Sequence, residues 1–263
     1  MLLEVKDLDI SYGDKLTVAG ANLELDKGEI MSIVGESGSG KTTVIRAVMG
    51  CLPGTGRISK GSITFDNQDL LKYTRKDWRK LAGSGMSMIF QDSGNMINPV
   101  RRIGEQYIDY IKNHDKSKSK TEAYKLACEM LGKMNLPNPE NIMNSYPFEL
   151  SGGMRQRVGI AIAMTFRPKI LLADEPTSAL DVTTQAQIIR QIVDIRNEFG
   201  VAVIIVTHNL GVASYMSNKI MVMKNGRVVE SGLREQVIAN PKDEYTKSLL
   251  NAVPIIGGEP YYG

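Results

Sequence analysis

Apolar positions in this chain cluster into short unbroken runs separated by longer stretches with helical spacing. "EIMSIVG" (residues 29–35), "GMSMIF" (85–90), "KILLA" (169–173) and "VAVIIVT" (201–207) are the clearest runs. Strands buried on both faces read this way, and their alternation with helical stretches predicts an α/β fold around a mostly parallel sheet. "KTTVIRAVMG" follows the first run as a predicted helix ending near Gly50. The first 28 residues and "GSITFDNQDL" (61–70) read as strands with turns, forming a separate antiparallel sheet. Between residues 91 and 167 the strand signal vanishes. "RRIGEQYIDYIKN" and "TEAYKLACEMLGKMN" have helical spacing and flank a solvated polar run, "HDKSKSK". We read one domain with three parts: residues 1–91 and 166–235 as core with a β subdomain, 92–165 as an inserted helical subdomain, and 236–263 as a helical tail.

Composition adds exclusions. A net charge of +3 is too small to argue for nucleic acid or an anionic membrane surface. Cys51 and Cys128 are too few for a disulfide scaffold or a four-thiolate metal site, and are expected to pack in the interior. The N-terminus carries Glu4, Lys6 and Asp7, which no signal-peptide apolar stretch accommodates. The longest apolar runs fall far short of the roughly 20 residues of a membrane-spanning helix. A soluble cytoplasmic chain is expected.

"GESGSGKTT" (residues 35–43) fits G-x-x-x-x-G-K-[ST] between a predicted strand and a predicted helix, the context the pattern requires. Glycines let backbone N–H groups turn inward around phosphate oxygens, and the helix start adds positive potential. Gly35, Glu36, Ser37, Gly38, Ser39, Gly40, Lys41, Thr42 and Thr43 are therefore candidate nucleotide-binding residues. Lys41 is expected at the β- and γ-phosphates and the Thr42 hydroxyl on Mg²⁺. A metal-binding carboxylate is expected at the end of another core strand, and "KILLADEP" supplies Asp174. Glu175 follows, alternating to the other face, so one carboxylate can serve the metal and the other polarise water. His208 ends "VAVIIVTH", again at a strand end, where it can bond the γ-phosphate or orient the attacking water.

A second glycine turn, "LSGGMRQR" (150–157), opens a predicted helix and is itself an anion site. With "SYG" at Tyr12, Gln91 in "MIFQD", "LLADEPTSALD" and "VTHN", these motifs resemble, in order and over nearly the whole chain, the ATP-binding subunit of an ATP-binding cassette (ABC) transporter. The resemblance implies a phosphate-loop, RecA-like core and a head-to-tail pair of cassettes. Ser151, Gly152 and Gly153 would then serve ATP held by the partner. It further implies that Tyr12 stacks on adenine, that Gln91 senses Mg²⁺ and water at the hinge into the helical subdomain, and that Asp181 lies in a loop crossing the dimer interface. Asp181 also suits a helix cap. Glu175 is similar to the family's catalytic base, and with His208, Gln91 and Lys41 the site reads as hydrolytic.

"LSGGMRQRVGIAIAM", "ADEPTSALDVTTQAQI" and the late "EYTKSLLNAVP" resemble the peptide/nickel import group, and "GCLPGTGRISKGSITF" the first of its two ATPases. That group implies two permeases, a second ATPase (or a second copy) and, indirectly, an extracytoplasmic binding protein, with the chain peripheral on the cytoplasmic face of the membrane. "QDSGNMINP" keeps only Asn98 and Pro99 of the usual "SLNP", and Asp243 and Glu244 replace a usual His-Pro. The end at "IIGGEPYYG" lacks a cysteine-rich extension, which weighs against oligopeptides and leaves nickel, another chelated metal or a short peptide open. Residues 91–103 would pass movement to a permease, although Met96 and Ile97 fit a subdomain core equally well. The alternatives are a soluble ABC ATPase of DNA repair, chromosome organisation or translation, and a phosphate-loop kinase, which would have no use for "LSGG".

Overall fold

The computed structural model describes residues 1–91, 97–178 and 180–252, and the backbone of 255–256 and 259–260. Met96 and Ala179 lie outside the described residues.

Five strands run parallel: β3 (Ile30–Val34), β6 (Met86–Ile89), β7 (Ile170–Asp174), β8 (Ala202–Thr207) and β9 (Lys219–Lys224). With the antiparallel edge strand β10 (Arg227–Leu233), the sheet order is β10-β9-β3-β8-β7-β6. Both faces are covered, which is why these runs read as unbroken apolar sequence. Along β8, Val203 and Ile205 enter one core, while Ala202, Ile204 and Val206 enter another on the opposite face. The β9–β10 hairpin was not among the predicted strands. Its turn, Asn225-Gly226, has positive φ at both positions and is a hairpin signal. The alternation that should flank it is missing because Ile220, Met221, Val222 and Met223 are all buried.

The expected second sheet is antiparallel, in the order β2-β1-β4-β5: β1 Leu3–Tyr12, β2 Lys15–Leu25, β4 Gly56–Phe65, β5 Gln68–Asp69. β4 starts five residues earlier than the sequence suggests, because its polar run "GRISK" pairs with the end of β1, Gly56 opposite Tyr12. This sheet shares a core with helix α1 (Lys41–Val48) and one face of the parallel sheet; α2 (Arg75–Leu81) lies at its edge.

Among the described residues, four helices interrupt the sheet between β6 and β7: α3 (Ile103–His114), α4 (Lys120–Lys133), α5 (Pro139–Asn144) and α6 (Gly152–Met164). Ser119 and Glu122 form a capping box that ends the "HDKSKSK" loop and starts α4. Ile97 is buried in this helical core, which decides its role, whereas Val100 is 80% exposed. α7 (Val182–Phe199) and α8 (Leu210–Met216) complete the crossovers. The tail is helical through α9 (Arg234–Ala239) and α10 (Glu244–Asn251), after which 255–256 and 259–260 pair as two short strands instead of continuing as helix. Cys51 is exposed rather than packed, because it follows the end of α1 at the surface; Cys128 is half-buried against the helical core.

Candidate functional site

The carboxyl ends of β3, β7 and β8 point to one edge of the parallel sheet, where an open cleft of about 360 Å³ lies. Ser37, Gly38 and Gly40 of the glycine loop form one side, with Lys41, Thr42 and Thr43 at the start of α1. Gln91, Glu175, His208 and Thr17 complete the wall. Thr17 was not anticipated: it comes from β2, in a polar segment that carries no motif.

Why the loop needs its glycines is visible in its neighbours. A Cβ at Gly35 would stand 2.1 Å from the Met223 carbonyl oxygen. Gly40, at the N-cap of α1, has φ +101°, a conformation that L side chains rarely adopt. Lys41 is only 4% exposed, and its Nζ donates to the carbonyl oxygens of Gly35 and Glu36, each at 2.7 Å. Burial pushes its ammonium below the ordinary lysine value, while the charges of Glu175, Asp174 and Glu36 pull it back. A cation so placed has two carbonyl partners it can exchange for phosphate oxygens.

Asp174 is 1% exposed and accepts from the Thr42 hydroxyl at 2.7 Å. Its other oxygen, Oδ2, is buried without a hydrogen-bond partner, and Arg46 Nη2 stands 4.0 Å away. Burial raises the carboxyl above the usual range; the Thr42 bond and the Arg46 charge oppose that. A hydroxyl and a free carboxylate oxygen side by side are hard donors of the kind Mg²⁺ takes, so these residues fit that ion. Among the described residues no group of three or more His, Cys, Asp or Glu could hold a metal alone. Phosphate oxygens would have to complete the shell.

Replacing Asp174 by Asn removes the buried charge and keeps the Thr42 bond. In metal-free buffer we expect a thermal midpoint a few degrees above wild type, at about 2–4 °C per kcal/mol. The added stabilisation by Mg²⁺ with ATP should be lost. A thermal-shift assay with and without both checks this. A midpoint below wild type in metal-free buffer would show that the carboxylate is not a burden to the fold.

Strand alternation was expected to send Glu175 to the opposite face from Asp174. The structure differs: Glu175 has φ +42°, outside extended backbone, while its N–H still donates to the Val206 carbonyl at 3.0 Å. Its side chain lines the same cleft as Thr42, the partner of Asp174. A non-glycine residue held in this region costs on the order of 1–3 kcal/mol and is concentrated at functional sites. Glu175 is 18% exposed, and His208, 64% exposed, places Nδ1 3.5 Å from Glu175 Oε2. A carboxylate, an imidazole, an ammonium and an amide facing one cleft can bind a polyphosphate and activate water beside it.

Other residues singled out in the sequence lie elsewhere. Ser151 caps α6, accepting from Met154 N–H. Gly153 is needed for packing, since a Cβ there would stand 2.6 Å from Thr184 Cγ2. Neither these residues nor Gly152 line the cleft beside the chain's own glycine loop. Asp181 caps α7, accepting from Thr184 N–H at 3.0 Å and Thr184 Oγ1 at 2.6 Å. Tyr12, at the end of β1, packs half-buried against the core under the antiparallel sheet, near Gly56.

A family model described as "ABC transporter" matches residues 18–178. The chain is 42% identical over 260 residues to the oligopeptide transport ATP-binding protein OppD of Bacillus subtilis, covering 97% of this chain and 72% of that protein. It is 39% identical over 259 residues to the dipeptide transport ATP-binding protein DppD of Lactococcus lactis, covering 97% and 74%. Among solved structures, an ATP-binding cassette determined as a dimer in a post-hydrolysis state with ADP and Pi superposes with a TM-score of 0.77. The two are 28% identical, over 89% of this chain and 99% of that one.

Proposed function

Since this chain belongs to the ABC transporter family, we propose that it is the ATPase subunit that drives import of short peptides through partner permeases in the cell membrane. One observation carries the mechanistic part. The cleft gathers Lys41, Thr42, Gln91, Glu175 and His208, while the second glycine turn, Ser151 to Gly153, stands outside it. A chain built this way holds half of each of two sites. It pairs head to tail with a second ATPase, or with a second copy of itself.

In the closed pair, Lys41 exchanges its loop carbonyls for β- and γ-phosphate oxygens. Glu175 accepts the proton of a water aligned with the γ-phosphate, and His208 and Gln91 hold that water and the phosphate oxygens in place. Ser151 of the partner supplies hydrogen bonds from the far side, and the α6 start adds its N–H groups. Thr42 and Asp174 would hold Mg²⁺, which would supply neutralisation of the phosphate charge. Asp181 lies at the pair interface and Tyr12 stacks on adenine. Residues 92–165 form the helical subdomain that carries the second glycine turn, and residues 91–103 pass the movement of the pair to a helix of the permease. Exposed Val100 and Phe148 flank the contact of Arg102 with Tyr146 and offer the permease an apolar seat.

Peptide, rather than nickel, is favoured as cargo by the relatives named for oligopeptide and dipeptide transport. Among the described residues no helix is long and apolar enough to cross a membrane, so attachment to the cytoplasmic face rests on the permeases. The test is a mild-detergent pull-down of the tagged chain from its own cells, followed by peptide uptake into vesicles carrying the recovered complex. Two multi-spanning permeases and ATP-dependent uptake of di- to pentapeptides support the reading. Recovery of only DNA, ribosomes or soluble enzymes would overturn it, and uptake of nickel without peptide would overturn the cargo.

A further inference from the structure

We propose that Tyr245, in the C-terminal helix α10, is a positioning residue for nucleotide binding, acting on Lys41 through the peptide group between Gly35 and Glu36. The inference rests on the glycine loop being the ATP site. The Tyr245 hydroxyl accepts a hydrogen bond from Glu36 N–H at 2.9 Å. The oxygen of that same peptide group, Gly35 O, accepts from Lys41 Nζ at 2.7 Å. In a trans peptide the N–H and C=O point in opposite directions, so one plane is held by a phenol on one side and by the phosphate-binding cation on the other. The loop has little other slack there, since Gly35 abuts the Met223 carbonyl and Ser39 O accepts from Gly226 N–H at 3.0 Å.

Tyr245 is itself well anchored. It is 7% exposed, and Lys224 Nζ sits 4.6 Å from its ring centroid. Its own N–H donates to Asp243 Oδ1 at 2.8 Å, and Glu230 accepts from the N–H groups of Lys242 and Asp243 at 2.9 and 3.1 Å. The helix start is thereby tied to β10, and the ring shares a small core with Val34, Leu210, Ile220 and Val222. When phosphate draws Lys41 off its carbonyls, the plane loses one of its two holds. Tyr245 is the other, and it keeps the loop in its binding shape. Nothing in the spacing of "DEYTKSLL" predicts this contact, which spans 209 residues.

Tyr245→Phe deletes the hydroxyl and leaves the packing, so the fold should persist. We measure the Kd for ATP of the full-length variant without metal, and KM and kcat in the assembled transporter. Loss of one neutral hydrogen bond predicts Kd and KM higher by roughly 3–10-fold, with kcat at saturating ATP within about twofold of wild type. Leu249→Ala, on the same helix and in the same small core, is the control: it should lower the thermal midpoint without moving KM. Wild-type Kd in Tyr245→Phe would overturn the proposal, as would equal rises in KM for both variants. If the wild-type chain itself fails to bind ATP, the site reading falls and takes this inference with it.

Discussion

Glu175→Gln is expected to bind ATP as wild type does and to hydrolyse it about 10²–10⁴-fold more slowly, the range for loss of one positioned general base. The substitution isolates the chemistry because of how Glu175 is held. Its backbone, at φ +42°, is fixed by its N–H to Val206 O, a contact an amide side chain leaves intact. The amide oxygen can still bond to His208, whose Nδ1 is 3.5 Å from the present carboxylate. What the amide cannot do is take a proton from water. Binding groups on the loop side, Lys41 and Thr42, are untouched, so Kd should stay within about threefold. Single-turnover hydrolysis of radiolabelled ATP, set beside an equilibrium binding assay, separates the two quantities. Hydrolysis within tenfold of wild type would remove Glu175 from the role, and His208 would become the group to test.

The parts of this site that the sequence reveals are those encoded by local runs. A strand buried on both faces must be apolar throughout, and a loop around phosphate must be glycine-rich, so "EIMSIVGESGSGKTT" declares itself. Thr42 and Asp174 could be paired in advance because metal chemistry asks for a hydroxyl, here at the start of the helix after the glycine loop, and a carboxylate at the end of a core strand, and they meet at 2.7 Å. Three features had no such signal. The positive φ of Glu175 occurs just past the end of β7, with no glycine or turn motif to announce it, so strand alternation misplaces the side chain. Thr17 reaches the cleft only because β2 of the other sheet passes beside it. Tyr245 is one phenol on a late helix, and only the folded chain brings it to Glu36. The β9–β10 hairpin is an intermediate case: its Asn-Gly turn was legible, but burial erased the alternation that would have framed it.

Lys41→Ala should weaken ATP binding by about 10²–10⁴-fold while leaving the chain folded. Each hydrogen bond from a charged group contributes about 1.5–3 kcal/mol, and Nζ is placed to make two. It already makes two at 2.7 Å, to Gly35 O and Glu36 O. Losing these leaves the buried Gly35 carbonyl without that partner, at a cost of about 1–3 kcal/mol, which a folded domain can carry. Glu36 is exposed, so water can reach its carbonyl, and Tyr245 still holds the Glu36 N–H. Burial also depresses the ammonium, which the charges of Glu175, Asp174 and Glu36 offset only in part, so the lysine is costly to keep charged until phosphate is bound. Removing it therefore costs the apo fold less than it costs the complex. Lys41→Arg sharpens the point: it keeps the charge but must fit a planar fork where the native side chain is 4% exposed. It should recover no more than about a tenth of wild-type affinity. Calorimetric titration with ATP, beside thermal midpoints without nucleotide, reads both effects. Wild-type Kd in the alanine variant would mean the loop's N–H groups alone hold the phosphates. Unfolding of that variant would mean the two carbonyl bonds are structural, and the exchange of carbonyl for phosphate oxygens would have to be abandoned.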